Sequence, residues 1–148
     1  MRLWPTSKPD AEQIERSRTR RDRPSVTEVL MLYVVAQCLL LLGGLSTALY
    51  RMRHLQSRPT PDSSNGGDGL GSELAGLVDR TLKRAPADPH SIVKSLVLIG
   101  LLSRRGRSAE LVLAVSPGPD LASHAWVESE GEALLDRESS SYVAIAKA

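Results

Sequence analysis

The sequence predicts an α+β fold in which one buried helix packs on a small antiparallel sheet, preceded by a long hydrophobic helix. Three observations carry that expectation. Residues 29–50 are almost wholly apolar, a second apolar stretch over 91–105 is bounded by helix start and stop signals, and beyond 110 four short β-compatible runs alternate with turn signals. With 148 residues and an apolar share of 41%, the chain can fill one modest core but not two. Other segments are expected as tails, linkers or lone helices.

Residues 1–24 carry Arg2, Lys8, Arg16, Arg18, Arg20, Arg21 and Arg23 against Asp10, Glu12, Glu15 and Asp22, with no apolar period. Such a segment cannot bury enough surface to offset its ordering entropy, so a basic disordered tail is expected. The whole chain is only +2, so this local excess suits an acidic surface or leaflet rather than a nucleic-acid domain.

A hydrophobic helix is expected over 25–56. Ser25 and Glu28 match a capping box, and between Val29 and Tyr50 only Gln37, Ser46 and Thr47 are polar. As a helix that run reaches roughly 33 Å, about the hydrocarbon thickness of a bilayer. Two readings stand, a membrane contact through 29–50 and a helix packed on protein. A late start, excess length and the lack of a small-residue cleavage site argue against a signal peptide. The turn formers and glycines of 57–71 read as a flexible linker, so the main domain is expected over 72–148.

Within that domain, Ser72 is placed to cap a short helix whose Leu74, Leu77, Val78 and Leu82 share a face. Asp88 and Pro89 signal the next helix start, and Arg104, Arg105 and Gly106 its end. Strands are expected at 110–115, 123–128, 133–136 and 142–146, with a hairpin turning at Glu130 and Gly131.

Ser91 then falls in the first turn of the buried helix, where unpaired N–H groups and the positive dipole end favour an alkoxide, thiolate or oxyanion. Alone, it reads as a capping or filler residue, since serine is common in first helical turns. Strand alternation puts His124, Trp126 and Glu128 on one face, and the hairpin can bring Asp136 alongside His124. A nucleophile at a helix start with a base and carboxylate on adjacent strands is the logic of nucleophilic acyl transfer. The single cysteine, Cys38, excludes an internal disulfide framework and makes a reducing, cytoplasmic setting the simplest. It sits in the apolar run and is expected to be inert core packing. His54, His90 and His124 give no metal-site spacing and no phosphate loop is present, so no metal or cofactor is expected.

The segments 91–96, 101–106 and 110–115, and above all the His-Ala-Trp-Val-Glu strand at 124–128, resemble the transglutaminase-like, papain-type leader peptidases of lasso-peptide biosynthesis. The resemblance covers roughly 73–148. It implies a cysteine peptidase that cuts the leader from a ribosomally made precursor with a Cys-His-Asp triad. It also implies a separate leader-recognition protein and a macrolactam synthetase as partners. On it, His124 is the base, Asp136 its orienter and residue 91 the nucleophile, with Trp126 and Glu128 on the substrate side. A hydrophobic helix before the peptidase domain is what the family leads one to expect, which favours packing over spanning. This chain has Ser91 where the family has cysteine. An engineered Cys-to-Ser exchange, a natural serine variant and a natural non-catalytic homologue all fit. The retention of His124, Trp126 and Asp136 favours the first.

Overall fold

The computed structural model describes residues 25–55, 69–84, 90–117, 123–135 and 142–148. The tail over 1–24, most of the expected linker, the Asp88–Pro89 helix start and Asp136 lie outside the described residues. Three helices, α1 (Val26–Arg53), α2 (Leu70–Leu82) and α3 (Ser91–Arg104), are followed by β1 (Glu110–Val115), β2 (Ser123–Ser129), β3 (Glu132–Leu134) and β4 (Val143–Lys147). The strands form one antiparallel sheet in the order β3-β2-β1-β4. The α+β expectation holds, with α3 at the centre: every residue from Ser95 to Ser103 is buried.

Helix α1 begins as the capping signal requires, with Ser25 Oγ accepting the N–H of Glu28 at 3.1 Å. The reciprocal half of the capping box is not made. Glu28 reaches Arg104 and Arg105 at the end of α3 instead, at 3.4 and 3.1 Å.

The helix is not straight. Gly44 has φ 72° and ψ −177°, a conformation open essentially to glycine alone, and it interrupts the helix. A Cβ placed on Gly100 of α3 would meet Met52 Sδ at 3.1 Å and Leu32 Cδ1 at 3.5 Å. In an unbroken helix those twenty intervening steps would separate the two side chains by about 30 Å. The chain therefore folds back at Gly44 into two arms. The first arm runs antiparallel to α3, from Glu28 at its C-terminal end towards Leu40 at its N-terminal end, and the second returns to Met52. Val29, Leu32, Ala36, Ala48, Leu49 and Met52 are all buried. Thus the segment is long and apolar enough to cross a membrane, with a mean hydropathy of 2.2, yet one face of it belongs to the core.

The core is continuous across Leu32 and Met52 of α1, Leu74 and Val78 of α2, the length of α3, and Leu111, Ala125 and Val127 on one face of the sheet. Helix α2 starts at Leu70 after Gly69, two residues before the expected Ser72 cap. Ser72 is inside the helix, and its hydroxyl donates to Glu132 Oε1 at 2.5 Å. Gly71 explains the earlier start, because Leu134 lies against it and a Cβ there would meet Leu134 Cδ1 at 3.0 Å. Cys38 is exposed rather than packed in the core. It lies four residues beyond Val34 on the outward stripe of the first arm, a face the apolar composition alone could not distinguish from the inward one.

Candidate active site

Helix α3 opens at Ser91, with His90 as its cap. The N–H groups of Val93 and Lys94 both return to the His90 carbonyl, which leaves those of Ser91 and Ile92 without an intrahelical acceptor. This end of the helix abuts strand β2. The partner strand β3 spans only three residues and pairs with Val127 to Ser129, so among the described residues no strand lies beside the outer edge of β2 at Ala125. Two serines one helical turn apart fill that gap: Ser91 Oγ accepts the Ala125 N–H at 3.1 Å, and Ser95 Oγ donates to the Ala125 carbonyl at 3.2 Å. In a β-strand both backbone groups of one residue point to the same side, so an i, i+4 pair on a helix can satisfy both. Sequence reading singled out Ser91 but not Ser95, whose only signal was a serine within an apolar helix.

Ser91 and His124 line the same cavity, of about 860 Å³, together with His90 and Ala125. Its other walls come from Gln37 and Leu40 of α1, Asp79 and Lys83 near the end of α2, and Lys94 of α3. Asp79 pairs with Lys83 at 2.8 Å and Lys94 at 3.8 Å in this wall. The helix N-terminus at Ser91 favours a developing oxyanion or thiolate there.

No hydrogen bond joins Ser91 to His124. The His124 ring lies 5.2 Å from that of Tyr142 and 6.2 Å from that of Trp126, between centroids, and its Nε2 is buried without a partner. Asp136, the expected orienter, lies outside the described residues. The predicted hairpin is present, with Glu130 and Gly131 at φ 53° and 84°, and at Leu135 the chain adopts φ 67° and leaves the strand.

Trp126 and Glu128 share the His124 face, as alternation required, but neither lines the cavity. Trp126 packs with Val112, Ala114 and Tyr142 in a small cluster on the sheet face turned away from the main core. Its Nε1 donates to Glu128 Oε1 at 3.4 Å, and Lys147 of β4 donates to the other carboxylate oxygen. That hydrogen bond from Lys147 is the main reason the Glu128 carboxyl is held below its usual value, and the Lys147 ammonium is in turn held above its own. Cys38 is not part of the cavity lining. Among the described residues no cluster of three or more His, Cys, Asp or Glu could hold a metal ion.

The model of the transglutaminase-like superfamily matches residues 29–147. The chain belongs to that superfamily. The match begins within α1, so it takes in the hydrophobic helix as well as the helix-and-sheet unit around the cavity. No curated protein and no solved structure matches the chain. Membership accounts for the architecture already described, a helix presenting its first residue to an antiparallel sheet, and the superfamily includes cysteine peptidases.

Proposed function

We propose that this transglutaminase-like protein is a leader peptidase of lasso-peptide biosynthesis, or its serine form. It would release the leader from a ribosomally made precursor by acyl transfer to residue 91 and then to water. The observation that supports it is the placement of Ser91 at the first position of α3, hydrogen-bonded to Ala125 beside His124, in the wall of one cavity. In the reaction, the side chain of residue 91 attacks the scissile carbonyl and its proton passes to His124. The tetrahedral oxyanion is stabilised by the first-turn N–H groups of α3, and collapse expels the amine, which takes the proton from His124. Water then repeats the sequence on the acyl-enzyme. Asp136 orients the imidazole, Trp126 packs beside it on the same strand face, outside the cavity lining, and a separate leader-recognition protein presents the precursor to the cavity. The macrolactam synthetase that closes the released core peptide is the second expected partner.

A hydroxyl is a far weaker nucleophile than a thiol at neutral pH, so serine at a position built for sulfur is expected to be slow or silent. The alternative reading is a catalytically inactive binding subunit or scaffold of the same complex. It is favoured by two features: Ser91 Oγ is engaged by the Ala125 N–H, and no hydrogen bond links Ser91 to His124. The test is to combine the protein or its Ser91→Cys form with precursor and leader-binding partner and to follow leader release by mass spectrometry. Cleavage by the cysteine form, lost again on His124→Ala, supports the peptidase. Tight precursor binding without cleavage by either form supports the scaffold.

A further inference from the structure

The first arm of α1 has one face in the core and an opposite face that nothing among the described residues covers. Val26, Leu30, Val34, Cys38 and Leu41 follow one another at three- and four-residue intervals along that outward side, with Met31 and Leu42 beside them. Leu41 and Leu42, next to the turn at Gly44, are 84% and 89% exposed. Between Val29 and Tyr50 there is no charged residue at all. An uninterrupted apolar stripe of this length on a soluble domain marks a docking surface.

The charges that flank the stripe indicate its occupant. Arg16, Arg18, Arg20, Arg21 and Arg23 stand immediately before the helix, against Glu15 and Asp22 over the same stretch, and an exposed Arg51 follows the second arm. A basic cluster directly adjoining an exposed apolar helix face combines the two terms that hold a peripheral protein on an anionic leaflet, apolar burial and Coulombic attraction to phosphates. We infer that the outward face of α1 docks lengthwise on an anionic lipid surface and does not cross the bilayer. The arm's other face is committed to α3 by Val29, Leu32 and Ala36 and by the Glu28 pairs with Arg104 and Arg105, so the helix lies along the surface with its domain above it. Leu40 lines the cavity and Leu41 and Leu42 follow it at the turn, so docking brings the cavity mouth to the membrane surface.

The test is independent of any peptidase activity. The full chain is mixed with vesicles of phosphatidylcholine, alone or with phosphatidylglycerol added, and the bound fraction is read by flotation. Binding is expected to the phosphatidylglycerol vesicles, to weaken as salt is raised, and to be small on phosphatidylcholine alone. Val34→Glu with Leu42→Glu should abolish it while far-UV circular dichroism and the melting temperature stay near wild type, since both side chains are exposed. Replacing Arg20, Arg21 and Arg23 by Gln should weaken binding by about fivefold per arginine, on the order of a hundredfold together. Three results would each overturn the inference: no flotation with either vesicle, flotation unchanged by the glutamate pair, or a dimer in sedimentation velocity that the glutamate pair dissociates while flotation is absent. The last would assign the face to a second copy.

Discussion

Ala125 is the residue through which the architecture of the site can be weighed. It is 1% exposed, and its N–H and carbonyl each have one serine partner on α3 at an edge that no strand among the described residues covers. Ser95 is fully buried, so Ser95→Ala removes a donor and leaves the Ala125 carbonyl without water to replace it. An unsatisfied buried acceptor costs about 1–3 kcal/mol, and the methyl that replaces the hydroxyl recovers only a little of it, so a loss of about 1–2 kcal/mol is expected. For a chain of this size that corresponds to a melting temperature lower by roughly 2–8 °C. Ser91 is only partly buried, at the helix start facing the cavity, where water can reach the freed Ala125 N–H. Ser91→Ala should therefore cost less, about 0.5–1 kcal/mol. Because both serines serve the same residue, the double variant should depart from the sum of the singles, by on the order of 0.5 kcal/mol or more. Chemical denaturation of the wild type, both singles and the double provides the cycle. If Ser95→Ala unfolds within error of wild type, or Ser91→Ala is the more damaging, the account of the strand edge is wrong.

Other measurements probe the remaining parts. Gly44→Ala has open space for its methyl but must hold φ 72° with ψ near 180°, so it should destabilise the fold by roughly 1–3 kcal/mol; an unchanged denaturation midpoint would mean the helix can run on without the turn. Glu28→Gln removes the carboxylate shared by Arg104 and Arg105, the second of which has only 14% of its side chain exposed, and should cost about 1 kcal/mol with reduced sensitivity to salt. For Glu128, whose folded pKa is depressed, the contribution to stability is present above its unfolded pKa and is lost as pH falls through the folded one. For Lys147, whose folded pKa is raised, the contribution is present below its unfolded pKa and is lost as pH rises through the folded one. Lys147→Met should accordingly return the Glu128 carboxyl towards its ordinary value in a carbon-detected NMR titration, and an unmoved titration would show that Lys147 is not the cause.

Much of the fold was legible because periodicity and punctuation agreed. The apolar run of α3 ends where Arg104, Arg105 and Gly106 stop it, and the β2–β3 hairpin turns at Glu130 and Gly131 as expected, both at positive φ. The doubling back of α1 was not legible in the same way. An unbroken apolar run hides which residues face inward, and the only local mark of the turn, the pair Gly43 and Gly44, is a weak signal inside so hydrophobic a stretch. What fixes the fold-back is contact distant in sequence: Gly100, small enough for Leu32 and Met52 to meet over it. No window along α1 contains that information.

The site divides along the same line. Ser91 could be singled out because a helix N-terminus is a local property, and His124 because strand alternation is. The walls opposite them, Gln37 and Leu40 on one arm of α1 and Asp79 and Lys83 near the end of α2, come from segments whose approach depends on the fold-back and on the packing of α2 against α3. Sequence reading therefore supplied two candidate residues without the cavity they line. It also missed that Ser91 has structural work to do, since its bond to the Ala125 N–H joins residues 34 apart in sequence. On the proposed function, that second role bears directly on serine at a position where cysteine is expected. A hydroxyl is a good acceptor for the Ala125 N–H and a poor nucleophile, whereas a thiol is the reverse. Serine at 91 thus strengthens the helix-to-strand junction at the expense of reactivity, which is the exchange expected of a chain that keeps the peptidase architecture for binding as well as of one whose nucleophile has been replaced.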